Sequence, residues 1–278
     1  MKKTALILLT IFLTAVACAC GCTTRPALKG SGRIITKELP APEFHTLHAS
    51  NAIDVYLTDK GDKIRIDADD NLMKYVTVDA HDGILRIGLD HRNVRHRHIT
   101  VTVPTDGTIR SLRAASGATI LSETALRGDE VTLTASSSGE IAVAVTARAC
   151  TLDASSSGEI KAGIHADNCT IEASSSAEIE VIAYVTGRCD LRTSSAAEVT
   201  LRGEAAECVA RCGSASELDA EEFAVRTFDI EAKSAAKAEI HCTERLRAAA
   251  SSAATIEYRG DCTTDIRQSS AGSVRREH

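Results

Sequence analysis

The sequence predicts an all-β chain wound as a parallel β-helix, a two-sheet solenoid of about 19 residues per coil. Three observations lead there. First, a seven-residue phrase recurs. Ala-Ser-Ser-Ser-Gly-Glu-Ile stands at 135–141 and at 154–160, then Ala-Ser-Ser-Ser-Ala-Glu-Ile at 173–179 and Thr-Ser-Ser-Ala-Ala-Glu-Val at 193–199. Second, apolar residues flank the phrase at every second position, as in strands with one buried face. Third, Ala leads the 44% of apolar residues, with no Trp and only four Phe and four Tyr among 278 residues. Such small side chains suit thin stacked layers better than a globular core.

The unit is defined by its columns. Taking the apolar residue two before the phrase as position zero gives Leu112, Leu133, Leu152, Ile171, Leu191, Ala210, Ile230, Ala248 and Ile266. Successive spacings are 21, 19, 19, 20, 19, 20, 18 and 18, which makes nine units with the last truncated. Position −2 carries Val131, Cys150, Cys169, Cys189, Cys208, Phe228 and Leu246. Position +2 is small in most units, and position +8 runs from Ile120 and Ile141 to Ile256 and Val274. Residues between are charged or Thr, as solvent-facing positions should be. Two strands of about five residues and two turns fill a unit, and a coil adds about 4.8 Å of height, so nine span roughly 40 Å.

Position +4 is Ser in every unit: Ser116, Ser137, Ser156, Ser175, Ser195, Ser214, Ser234, Ser252 and Ser270. It falls at a tight turn, where a hydroxyl can bond to turn backbone or to the hydroxyl one coil away. No His or Lys recurs beside it as a base, so the column reads as a structural ladder and not as a set of nucleophiles.

The chain divides into three parts. Residues 1–22 read as a lipoprotein signal peptide and anchor region, 23–110 as a β head with irregular coils, and 111–278 as the regular β-helix repeats. Lys2 and Lys3 precede an apolar run from Ala5 to Ala17, which is too short to span a bilayer comfortably. It ends in Thr14-Ala15-Val16-Ala17-Cys18, which resembles a bacterial lipobox. Cys18 is the expected lipidation site, with Cys20 as the alternative. The lipid would tether an exported protein to the cell envelope, at the outer membrane, without a spanning helix. In the head, Leu47–Val55 fits the coil pattern with Asn51 in the Ser column. The runs at 64–66, 76–78, 85–89 and 99–103 alternate with less regular spacing.

Other clusters are candidate sites. Cys150, Cys169, Cys189 and Cys208 form one inward column and read as a ladder of buried free thiols. A straight ladder does not converge on tetrahedral zinc, and in-register neighbours would strain a disulfide. Cys212, Cys242 and Cys262 sit elsewhere and could make one further bridge. Position +7 carries Glu140, Glu159, Glu178, Glu198 and Glu217, whose mutual repulsion basic neighbours or a bound cation would relieve. The expected state is a solvated edge, and no metal site is assigned. Asp90–His98 packs three His and three Arg into nine residues and reads as a polar loop of the head.

Several motifs, taken as an ordered set, resemble the bacterial head GIN domain family of auto-transporter adhesins. They are Gly30-Ser31-Gly32-Arg33-Ile34, Ala52-Ile53-Asp54-Val55-Tyr56-Leu57, Gly83-Ile84-Leu85-Arg86-Ile87, Ile99-Thr100-Val101-Thr102-Val103-Pro104 and the Ser-Ser-Gly coils. The resemblance covers about residues 30–274. It implies a right-handed parallel β-helix similar to pectin-lyase-type folds but without their catalytic residues, and a role in cell adhesion. The chain departs from the family in carrying Ser-Ala or Ala-Ala where Ser-Gly is favoured.

The expected function is therefore a non-catalytic cell-envelope lipoprotein with an adhesin-like β-helix, either binding a surface partner or serving as an envelope scaffold. The alternative is a carbohydrate-active hydrolase or lyase, although no carboxylate pair, phosphate loop or nucleophile elbow stands out. No cofactor and no catalytic residue are expected. The partner classes are a surface glycan or protein, the membrane through the lipid, and further copies of the chain in a homo-oligomer. A net charge of −6 does not suit nucleic acid.

Overall fold

The computed structural model describes residues 27–90, 93–95 and 97–277, so Cys18 and the rest of the segment expected to be an export signal lie outside the described residues. Strands dominate, and the one helical element among the described residues is a 3-10 turn at Met73–Tyr75. The strands stack in parallel with like on like. Leu47, Leu112, Leu133, Leu152, Ile171 and Leu191 are consecutive register partners, and the column continues through Ala210, Ile230 and Ala248 to Ile266. Each is at most 1% exposed except Ile266, on the last coil, at 36%. This column belongs to a front sheet that enters the tight turn. Position +8 belongs to a back sheet that leaves it, and its residues stack likewise from Val55 and Ile120 to Ile256 and Val274. The solenoid predicted from the repeat is the observed fold.

At the tight turn all nine Ser of position +4 adopt left-handed backbone, with φ between 48° and 56°. The following residue, Gly117, Ser138, Ser157, Ser176, Ala196, Ala215, Ala235, Ala253 or Ala271, does the same. Two successive left-handed residues closed by a backbone bond from residue i+3 to residue i make a type I′ turn. Gly158 N–H, for example, donates to Ser155 C=O at 3.0 Å. Left-handed backbone costs an L-residue about 1–2 kcal/mol. An offsetting bond runs from coil to coil. The N–H of the second left-handed residue donates to the Ser carbonyl one coil on, as Ser157 does to Ser175 at 3.1 Å and Ala215 to Ser234 at 2.9 Å. The ladder that joins the turns is thus made by backbone groups. The serine hydroxyls, expected to bond, point to solvent and make no hydrogen bond among the described residues. Next comes a buried small residue at +6. A Cβ on Gly158 would stand 2.3 Å from the Ala135 carbonyl oxygen, so that coil requires Gly, while other coils, shifted slightly, hold Ala or Ser in the column and nothing larger.

Units differ in length, and the stack absorbs the difference in one place. Register shifts fall between Thr200 and Arg202, Ala220 and Ala224, Val225 and Thr227, Ala166 and Cys169, and Val185 and Arg188. All lie in the stretch from position +9 round the wide corner to the next front strand. From −2 to +9 the register is strict.

The N-terminal end of the stack is closed by a change of strand direction. Ile84–Leu89 and Ile99–Pro104 still pair in parallel beneath the coil Thr46–Thr58. Val76–His81 then pairs antiparallel with the first, and Lys63–Asp69 with the second. Ile34–Pro40 adds antiparallel to Lys63–Asp69. Asp69, which is buried, ties this end together: its carboxylate accepts from Gly32 N–H at 2.7 Å and His98 N–H at 2.8 Å. The neighbouring Ser31 hydroxyl donates to Asp70 at 2.6 Å. The Gly-Ser-Gly motif is therefore a clasp.

Two outcomes follow from this geometry. Ser175→Val should lower stability by about 1–2 kcal/mol, whereas Ser175→Gly should not lower it. A urea titration in which the Val variant keeps the wild-type midpoint would refute the left-handed requirement. Asp69→Ala strands two backbone donors and should cost about 1–3 kcal/mol, read as a shift in the same titration.

Candidate binding surface

Outward side chains alternate with the buried columns, so each sheet presents a flat face. The front face of the later coils is laced with ion pairs. Arg188 donates to Asp190 at 2.7 Å and to Glu207 one coil on at 3.2 Å. Arg192 meets Glu172 at 2.9 Å, Arg211 meets Asp229 at 3.3 Å, and Arg247 meets Asp265 at 3.5 Å. These groups are largely exposed, so each pair contributes only about 0–1 kcal/mol. Their effect is to neutralise the face. The Arg188 guanidinium holds the Asp190 carboxyl below the ordinary carboxylate range.

The back face differs. Ile182 and Tyr184 point outward at 49% and 44% exposure, and the Tyr184 ring stacks on His165 with centroids 5.0 Å apart and planes at 24°. Gly163 is the register partner of Ile182 and leaves bare backbone beside it, with open space where a side chain would stand. Ala142 and Ala144 occupy the coil before, then Leu121, then Tyr56 at 39% exposure. Five coils thus contribute an oblique apolar and aromatic band over about 19 Å of stack height, since Tyr56, Leu121 and Ala142 share the column of Lys161 and Glu180 while Ala144, Gly163 and Ile182 share the next. Some charges around it are paired, Lys161 with Glu159 and Arg202 with Glu180 at 3.2 Å and Glu222 at 2.9 Å, whereas Glu204, the register partner of Tyr184, has no ion pair among the described residues.

The glutamate column lies in register beside this face, from Glu140 to Glu217, and is followed by Lys237. Lys161 is raised above the ordinary lysine range by its bond to Glu159, with Glu140 and Glu178 adding to the effect. Lys237, bonded to Glu239 and Glu217, is raised likewise. Basic neighbours therefore relieve the repulsion in the middle and at the end of the column. A second acidic group joins Asp219 and Glu239, register partners at position +9, with Glu221, which lies beyond the strict register; their ligand atoms lie within 4.8 Å of one another. The Glu221 carboxyl is raised, first by a shared hydrogen bond with Glu277 and then by burial.

Cys150, Cys169, Cys189 and Cys208 are register partners on consecutive coils, all buried and free. Their thiols contact one another along the ladder, and these contacts, then burial, push Cys169 and Cys208 well above the ordinary thiol range. At the wide corner, depressions of about 450 and 500 Å³ mix Arg188, Arg226 and Arg245 with Glu207 and Glu244, and Arg110, Arg127 and Arg148 with Asp129 and Glu130. Of the polar head loop, His91, Arg92 and His96 lie outside the described residues. Arg97 donates to the Ala52 carbonyl at 2.8 Å, and the His98 amide is held by Asp69, so this end of the loop is part of the clasp.

The sequence singled out the Ser, Cys and Glu columns but not the Tyr56–Tyr184 strip. The strip occupies outward positions that the repeat assigns to solvent. The available signal was an Ile and a Tyr two residues apart, both out of phase with the buried columns, in a chain with four Tyr. The acidic group escaped notice because Glu221 lies in a stretch where the register shifts.

Residues 43–202 and 162–262 match the model of a family described as "Putative auto-transporter adhesin, head GIN domain". Among solved structures, the chain is similar to a putative adhesin from Parabacteroides merdae, at 20% identity and a TM-score of 0.66, covering 91% of this chain and 99% of that one. A putative adhesin from Parabacteroides distasonis follows at 18% identity and 0.64, covering 90% and 100%. A putative lipid binding protein from the same species is similar at 18% and 0.63, covering 91% and 100%. At these identities the likeness establishes the shared fold. No curated protein matches the chain. The family match runs from 43 to 262, well over half of the sequence, and the chain belongs to the head GIN domain family of auto-transporter adhesin type.

Proposed function

We propose that the protein is a non-catalytic, adhesin-like β-helix of the cell envelope that holds an uncharged surface glycan against the strip from Tyr56 to Tyr184. One observation carries this reading: Ile182 and the stacked Tyr184–His165 pair stand exposed on a flat sheet beside the bare backbone of Gly163. A pyranose ring offers an apolar C–H face to an aromatic ring and hydroxyls at its rim. The rim offers polar groups for those hydroxyls: the paired charges of Lys161, Glu180 and Arg202, and the exposed Glu204 carboxylate beside Tyr184, which can accept from a sugar hydroxyl while it stays in water. A flat site of this size binds weakly, and affinity then comes from many copies acting together. A lipid on Cys18 supplies that arrangement by concentrating the protein on a membrane, which we assign to the outer membrane.

Neutral polysaccharides on a glycan array should retain the protein, and Tyr184→Ala should weaken retention about tenfold, the equivalent of about 1.4 kcal/mol, with an unchanged circular-dichroism spectrum. Loss of binding only to phospholipid vesicles would move the reading to a lipid ligand. Release of reducing ends or unsaturated products in a parallel degradation screen would overturn the non-catalytic assignment. Metabolic labelling with a fatty acid should mark the wild type, and Cys18→Ala should abolish both the label and membrane sedimentation. Persistence of both would transfer the anchor to Cys20.

A further inference from the structure

Cys242 and Cys262 differ from the other described cysteines in where they lie and in what can reach them. Cys242 is buried within the strand Lys237–Ala250, just past His241, the last residue paired with the next coil's back strand, and its sulfur lies 3.7 Å from the Arg226 carbonyl oxygen. The next coil passes over it with a constant offset: His241 pairs with Arg259, and Arg245 with Thr263. Carried across the residues between, which are not themselves paired, that offset puts Cys262 level with Glu244 on the corner, two residues beyond the position level with Cys242. Cys262 is half-buried, packs against the core, and turns its sulfur toward that of Cys242. The pair therefore couples one shielded thiol to one that solvent reaches, across the boundary between the last two coils.

We infer that Cys242 and Cys262 form a disulfide when the protein meets an oxidising compartment, stapling the final coil, Thr263–Gln268 and Ser273–Arg276, to the stack. The half-buried, solvent-accessible Cys262 thiolate attacks an external disulfide donor such as glutathione disulfide, forming a mixed disulfide and expelling one donor thiolate. The Cys242 thiolate then attacks the Cys262 sulfur and expels the second donor thiolate. Two cysteine thiols lose two electrons and two protons, and the donor disulfide takes them up as two thiols. Burial, then the neighbouring Cys262 sulfur, pushes the Cys242 thiol up to about 11. While that thiolate is the scarce reactant, the second step should quicken roughly tenfold per pH unit near neutrality.

The ladder Cys150–Cys208 lacks the accessible member that would start the exchange, since all four thiols are buried. Cys212 is buried as well, and burial pushes its thiol up to about 12. One bridge, at one place, is the expected product. The final coil is where a bridge matters most, because its outer edge has no further coil stacked on it among the described residues and its front strand is exposed throughout.

The test is peptide mapping of the full chain after equilibration in a glutathione redox buffer. Free thiols are alkylated first in the folded state and again after unfolding, and the chain is cut with trypsin. The expected result is the segment 238–245 linked to 260–267, with Cys150, Cys169, Cys189 and Cys208 alkylated only after unfolding. Recovery of Cys242 and Cys262 as alkylated free thiols, or bridged to other partners, would overturn the proposal. Cys262→Ser should remove the linked peptide, and its amide exchange across 261–276 should run several-fold faster than in the oxidised wild type. Should that variant fold poorly, reduction of the wild type provides the same comparison, and equal exchange before and after reduction would deny the bridge its stapling role.

Discussion

Everything in this solenoid depends on one hydrogen bond repeated from coil to coil at the tight turn. The chain reverses there through two left-handed residues, which is costly for side chains other than glycine. The backbone N–H of the second residue meets the carbonyl of the Ser one coil on, so the turn belongs to the sheet instead of interrupting it. With turns locked one above another, front and back strands leave each turn at fixed positions. Only then can Leu fall on Leu and Ile on Ile through the height of the stack. The small residue at +6 belongs to the same constraint, because a larger side chain would separate the coils at the point where they must touch.

Much of this was legible in the sequence because the interior is built from columns and columns repeat. Position zero, position +8 and the Ser of position +4 were all read in their true register. The role of the Ser was read less well. The column reads as a structural ladder in which hydroxyls can bond, and the ladder present is made by backbone groups with the hydroxyls exposed, because composition reveals which residue recurs but not its φ. The end clasp was invisible for a different reason. Asp69 works by reaching Gly32 and His98, residues 37 and 29 positions away, and no local pattern encodes that meeting. The Tyr56–Tyr184 strip was hidden by the rule that makes the fold readable. Once alternate positions are assigned to solvent, an Ile or Tyr placed there looks like noise.

The two faces serve different ends. On the front face arginines and carboxylates answer one another within and between coils, leaving little charge to attract a ligand. On the back face the ion pairs stand at the margins of a band that is apolar in side chain or bare in backbone. Both faces rest on a core of Ala, Ile, Leu and Cys that is buried almost completely, so neither has slack to rearrange. A rigid plane of this kind differs from a pocket that can close on what enters it.

The confinement of register shifts to the stretch beyond position +9 also bears on how such chains change over generations. Residues gained or lost in that half of a coil leave the turn ladder and the buried columns in phase. The wide corner is thus a permissive seam, open to lengthening, to decorated loops or to a grafted epitope, while the opposite edge behaves as an invariant spine. A lineage could vary the outline that each coil shows to the world and never renegotiate the fold beneath it.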